Sequence, residues 1–383
     1  MVNNSILRYN SARLFGQSRT AGETINPITL VTDFQFGFNI NRETIKSVGY
    51  SEILRPVVAN QRPYFSFSYY LSDVDNEKLF RMPVTADEAI HEKMPMFTGL
   101  ETMDFFFLSS ESGQDFIDIN KDELSACVFT GAFLTSYSME ILTSGVIKIN
   151  VSWEADNVKF QKFKNVSGYE FIDYDVEDLN MTTQSDFELN DGVEDINLDV
   201  GGFGVQGGLQ SFNFSADIPT KTLYDFGQYS HKKDIKFPVE GRISAKAFVR
   251  SQMEGRLDNI LCSDKGVDFL FSNYRQDCEN PQYRNYKSGF LFKNAQILSQ
   301  KYSLNTNRGN YFVADLEFII YITKEKGVYI SKHITPKTDG TFQGEDGNEI
   351  LNLILEVEGG GGGILSEVAG DMINSLRDLR NKV

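Results

Sequence analysis

The chain carries one pattern twice, so its fold must be one that can repeat. Residues from about Phe34 to Trp153 recur, with insertions and deletions, from about Phe212 to Ile320. A first block aligns without a gap at an offset of 178: Phe34, Phe36, Ile40, Thr44, Gly49 and Ser66 meet Phe212, Phe214, Ile218, Thr222, Gly227 and Ser244. A second, at an offset of 153, sets residues 108–117 over 261–270, with Asp115-Phe116 on Asp268-Phe269. A third, at an offset of 163, places Ser125, Phe129, Ala132 and Ser136 over Ser288, Phe292, Ala295 and Ser299. Two extra residues then bring Tyr137-Ser138-Met139 onto Tyr302-Ser303-Leu304. The period is too long for a solenoid, whose repeats run roughly 20 to 50 residues. Two tandem copies of one small domain is the reading, and duplication points to assembly before catalysis.

Alternation sets the fold class. Phe34, Phe36, Phe38 and Ile40 fall on one face of a strand, as do Phe65, Phe67, Tyr69 and Leu71. The second copy answers with Ile243, Ala245, Ala247 and Val249. Each copy closes on a third such run: Ile147, Ile149, Val151, Trp153, and then Phe312, Ala314, Leu316, Phe318, Ile320, Ile322. A period of two marks half-buried strands, and 31 Phe with 17 Tyr supply residues that favour them. The chain is expected to be mainly β, each copy a small antiparallel sandwich or barrel. Thr85-Ala86-Asp87-Glu88 has the form of a capping box and predicts a short helix over 89–93, inside the insertion specific to the first copy. The stretch at Asp268-Phe269-Leu270-Phe271 reads equally as a helical turn or a strand start.

The expected organisation is an N-terminal arm over 1–33, a first β domain over 34–165 with an insertion at about 74–103, and a second β domain over 209–330. Between them, 166–208 carries eleven acidic residues and no Lys or Arg, a linker or an arm lying on a neighbour. The extension 331–383 holds a five-glycine tether, Gly359 to Gly363. Beyond it Ile364, Leu365, Val368, Met372, Ile373, Leu376 and Leu379 share one face of a short amphipathic helix.

Charge and motifs exclude more than they assign. A net charge of −16 repels phosphate and disfavours tight nucleic-acid binding, while suiting either solubility or a conduit along which DNA slides. No apolar run nears the roughly 20 residues of a membrane span, and Met1 to Ser5 lack the basic and apolar segments of a signal peptide. Cys127, Cys262 and Cys278 have no CxxC spacing, which points to a reducing compartment without crosslinks. His91, His231 and His333 stand far apart in no metal or base spacing. Asp118-Ile119-Asn120-Lys121-Asp122 opens like a calcium loop but has Glu123 where Gly is needed and Phe129 at the closing acid. The glycines at 201–208 form neither a Walker loop nor a dinucleotide fingerprint. No catalytic, cofactor-binding or metal residue is assigned, no cofactor is expected, and an enzyme is not expected.

Three stretches carry a likeness to a known family. They are Phe34 to Glu43 running on to Gly49, then Val58 to Ser72 with Ile235 to Val249, and Cys127 to Met139 followed by Ile147 to Trp153. Leu134-Thr135-Ser136-Tyr137-Ser138 is the most specific segment, echoed by Ile297-Leu298-Ser299 and Tyr302-Ser303-Leu304. Together they resemble the tube (major tail) proteins of tailed phages and the related tube of type VI secretion systems. The resemblance implies two tandem tail-tube-like β-sandwiches or barrels, each with a short flanking helix, in a virion protein made in the host cytoplasm that self-associates into rings stacked as a tail tube, the conduit for genome ejection. With two domains per chain, three copies would close a pseudo-six-fold ring. Implied partners are other tail proteins (tape measure, sheath where present, baseplate or terminator) and DNA in transit, with no membrane. The arm, the insertion and the acidic segment are then candidates for contacts between rings. Two alternatives stand beside it: a non-repeating tail ring such as a distal hub or completion protein, and a duplicated β-sandwich that binds a receptor or glycan.

Overall fold

The computed structural model describes residues 12–19, 25–39, 42–46, 53–58, 62–85, 94–110, 124–141, 146–162, 192–197, 199–200, 203–204, 209–223, 232–249, 266–276, 284–305, 311–332, 335–336 and 342–343. The first half contains β1 Ala12–Ser18, β2 Asn26–Pro27, β3 Val31–Asn39, β4 Arg42–Lys46, β5 Ile53–Val58, β6 Arg62–Tyr70, helix α1 Asp75–Leu79, β7 Val84–Thr85, β8 Met103–Ser110, β9 Leu124–Ile141, β10 Ile147–Glu154 and β11 Asn157–Lys162. The second contains β12 Gly192–Asn197, β13 Asp199–Val200, β14 Phe203–Gly204, β15 Leu209–Asp217, β16 Thr220–Leu223, β17 Lys232–Ile235, β18 Val239–Val249, β19 Val267–Gln276, β20 Arg284–Asn305, β21 Tyr311–Ile322 and β22 Val328–Ser331. A short pair follows, β23 Thr335–Pro336 with β24 Phe342–Gln343. The protein is mainly β, as its alternation predicts.

Eight strands make a continuous central sheet in the order β20-β21-β18-β15-β9-β10-β6-β3. Its inner face is apolar. Phe65, Phe67, Tyr69, Ile149, Val151, Trp153, Phe212, Phe214, Ile243, Leu316 and Phe318 are all buried there. Two smaller sheets cover that face: β2-β1-β8-β9-β11 over the first half, and β12-β19-β20-β22-β7 over the second. Rings join the layers, with Phe105 4.6 Å from Trp153 and Phe269 4.9 Å from Phe318. A sandwich is what a one-sided apolar sheet needs in order to leave water.

The long strands β9 and β20 belong to both layers. Residues 124–132 of β9 pair with β8, and residues 133–141 with β10. β20 divides the same way between β19 and β21. Each bends at a residue with positive φ, Gly131 at 64° and Asn294 at 63°. A carboxylate on the adjacent strand fixes each bend: Asp104 Oδ1 accepts from the Gly131 N–H at 2.7 Å, and Asp268 Oδ1 from the Asn294 N–H at 2.6 Å. Both aspartates sit where the register with the long strand shifts, at a bulge.

Pairing register revises several expectations. Asp104-Phe105, rather than Asp115-Phe116, holds the position of Asp268-Phe269, and the latter pair lies in strand β19. Residues 115–118 are outside the described residues. Tyr137 and Gln300 stand at matching positions, facing Val151 and Leu316. The two-residue shift that superposes the tyrosines is therefore absent. Both strands instead carry one bulged residue, Thr135 or Leu298.

The segment read as an arm contributes β1, hydrogen-bonded along β8, and β12 of the acidic segment occupies the corresponding edge of β19. An exposed strand edge is an unpaired row of donors and acceptors, which explains why both segments are drawn in. The capping-box segment at 86–93 lies outside the described residues, and the described helix is α1 at Asp75–Leu79. Gly49, Gly227, Gly113 and the extension 344–383 also lie outside them.

Candidate functional site: two open sheet edges

The halves of the central sheet meet at one antiparallel junction, β9 with β15. Phe212, Asn213, Phe214, Ser215, Ala216 and Asp217 face Ile141, Glu140, Met139, Ser138, Tyr137 and Ser136. The junction joins unlike edges: β9 is the last strand of its half of the sheet and β15 the first strand of the other. Supporting contacts flank it. The Ile218 N–H donates to the bulged Thr135 carbonyl at 2.8 Å, and the Met96 N–H to the Val328 carbonyl at 2.6 Å. β7 lies parallel to β22, Val84 facing Ile330. Lys233 on β17, almost wholly buried, reaches Asp156 Oδ1 at 3.4 Å beyond β10.

Among the described residues, the outer edge of β3 and the outer edge of β20 beyond Ile297 carry no partner strand. β3 faces β6 as β15 faces β18: Phe34, Gln35 and Phe36 meet Phe67, Ser66 and Phe65, while Phe212, Asn213 and Phe214 meet Ala245, Ser244 and Ile243. Burial separates the two. Phe36 and Phe38 are 43% and 39% exposed, whereas Phe214 and Ala216 are 1% and 3% exposed. Phe160 on β11 is 63% exposed, against 1% for Ile330 on β22. Phe36, Phe38 and Phe160 lie within 6.4 Å of one another by ring centroid. They form one contiguous exposed aromatic patch beside the β3 edge.

The outer face of the central sheet is polar. Asp33, Ser68, Asn150, Ser138, Ser215 and Arg242 form one row across six strands. Ser68 Oγ donates to Asn150 Oδ1 at 2.7 Å, and Asn150 Nδ2 to Ser138 Oγ at 3.3 Å. Four cations on this face each lie against a carboxylate: Arg62 with Glu154, Lys148 with Asp33, Arg242 with Glu240, Lys246 with Asp315.

One titratable cluster is buried. Glu77 of α1 is fully enclosed, and its Oε1 accepts from Tyr69 Oη at 2.6 Å and Tyr137 Oη at 3.3 Å. Oε2 has no partner. Burial pushes the carboxyl up to about 7, against the lowering effect of the Tyr69 hydrogen bond. Both tyrosines are raised well above 10, first by burial and then by the Glu77 charge. Nothing in the sequence pattern singles out Glu77.

Among the described residues no three His, Cys, Asp or Glu side chains gather as a metal site would require. The three histidines, Asp118, Cys262 and Cys278 lie outside the described residues. Among the described residues no helix is long and apolar enough to cross a membrane. No protein-family model matches the sequence, and no curated protein matches it.

Proposed function

We propose that this chain is a structural protein of a tailed phage, two tandem copies of a tail-tube-like β module that polymerise into stacked rings. Three copies would close a pseudo-six-fold ring around the channel for genome ejection. The observation that carries this reading is the unlike-edge junction between β9 and β15. A junction of that type, repeated between chains, generates rings or filaments rather than a closed two-fold pair. Among the described residues the same two kinds of edge remain open at the ends of the sheet, and ring closure would remove both. The polar outer face, with cations held by neighbouring acids, suits a wall past which a polyanion slides, because a phosphate finds little free positive charge to displace its counterions. On this reading the protein performs no catalysis. Its partners are copies of itself and other tail proteins, and it resides in the virion tail.

Negative-stain imaging with mass measurement of the purified protein tests the proposal. Tubes built from rings of three chains are expected. Isolated rings would move the assignment to a non-repeating hub or completion protein. A stable monomer at high concentration that binds glycans would replace it with the receptor-binding alternative.

A further inference from the structure

At the internal junction, β15 and β9 show what the first strand of one half of the sheet accepts as a neighbour. β3 holds the same place in its own half as β15, by its register on the next strand. The C-terminal part of β20 holds the place of β9, with its bulge at Leu298 where β9 has Thr135. The register at one junction can therefore be transferred to the other. We propose that β3 of one copy pairs antiparallel with β20 of a second copy, placing Phe34 opposite Leu304, Gln35 opposite Ser303, Phe36 opposite Tyr302 and Phe38 opposite Gln300. This rests on the self-assembly proposed above and fixes its partner strand, direction and register.

Burial supports the occupant as well as the edge. Three described positions that the first half leaves in water, Phe36, Phe38 and Phe160, correspond to positions that the second half buries, Phe214, Ala216 and Ile330. What covers those is β9, with Tyr137 and Met139, together with β7 alongside β22. A second copy seated through β20 supplies the missing strand to β3. Tyr302, half-buried on its own edge, then meets Phe36 as a cross-strand aromatic pair. The register is strongly specified, because a slip of one residue turns Phe36 and Tyr302 to opposite faces. Gln35 and Ser303, by contrast, both lie exposed.

Cysteine crosslinking reads the register directly. Gln35→Cys and Ser303→Cys proteins are prepared separately, mixed, and oxidised mildly, with each alone giving the background from native cysteines. Asn213→Cys with Glu140→Cys in one chain is the calibrating pair, since those residues already face each other. The mixture is expected to give a disulfide dimer at least about tenfold above either protein alone, and above a mixture of Gln35→Cys with Lys301→Cys. The double variant Gln35→Cys/Ser303→Cys is expected to give a ladder that stops at the closed ring. Preferential crosslinking to Lys301 overturns the register. Visible rings or tubes with neither crosslink, while the calibrating pair forms, also overturn it and leave the tube reading standing. No assembly under any condition removes both.

Discussion

Gly131 holds its left-handed conformation where β9 leaves the central sheet, with its N–H fixed by Asp104 and the Asp156 side chain beside its Cα. An added Cβ meets both a backbone penalty of about 1–2 kcal/mol and that side chain, so Gly131→Ala is expected to cost about 2 kcal/mol or more in urea unfolding. Asn294, exposed at the matching bend, has already met the backbone cost. Asn294→Gly should stay within about 0.5 kcal/mol, and an equal loss at both sites would disprove the shared device. Glu77 yields a pH prediction whose sign follows from its folded value lying above the ordinary 4.5. The folded state holds that proton more tightly, so the Glu77 contribution is fully present below pH 4.5 and is lost as pH rises through about 7. The loss is about 3 kcal/mol at 1.36 kcal/mol per unit. Urea midpoints of wild type and Glu77→Gln across pH 4 to 8 should therefore diverge, with the wild type losing stability and the glutamine variant flatter. Parallel curves would show that Glu77 does not titrate in this window.

At the scale of elements, alternation was legible wherever a strand has one wet and one dry face. Phe65, Phe67 and Tyr69, or Ile147 to Trp153, write their burial into every second residue. β12 was not legible, since Gly192-Val193-Glu194-Asp195-Ile196-Asn197 has no such pattern and is a strand because β19 offers it an edge. Helix α1 has no local signature for a related reason. Asn76 on its first turn accepts from the Thr29 N–H at 3.1 Å and donates to the Thr29 carbonyl at 3.2 Å, a tertiary anchor across 47 residues that no local propensity encodes. The bulges at Thr135 and Leu298 escape a sequence alignment because a bulge constrains spacing and leaves residue type free. The open edges were half legible: Phe34-Gln35-Phe36 reads as a strand, but its place at the end of a sheet depends on the order of strands far apart in sequence. Between elements, the hairpin β16–β17 is tied to the first half by Lys233, which touches both Asp156 and the Glu154 carbonyl. Removing one partner of a largely buried ion pair leaves the other charge uncompensated. Because Asp156 keeps some solvent access, Lys233→Ala is expected to cost about 2 kcal/mol, read as a lowered melting temperature in calorimetry. An unchanged melting temperature would assign the pair no structural weight.

For the whole molecule, the decisive contrast is between one face that assembly would cover and one that it would leave wet. Each chain carries a net charge of −16, so copies repel one another until salt screens them. The screening length falls from about 30 Å at 0.01 M to about 8 Å at 0.15 M. Assembly driven by the β3 edge should therefore strengthen with salt, the opposite of binding led by ion pairs. The apolar contribution is separable from the charge through Phe36, Phe38 and Phe160, which are exposed in the single chain and so contribute little to its fold. A Phe38→Ser/Phe160→Ser double variant, which leaves the net charge unchanged, is expected to keep its melting temperature within a few degrees while sedimenting as a monomer at concentrations where the wild type is expected to form large particles. Phe214→Asp, at the buried counterpart, should instead fail to fold, because it places an unpaired charge in the core. If the double variant assembles as well as the wild type, the aromatic edge is not where copies meet, and the polar face or the residues beyond 343 would have to provide the contact.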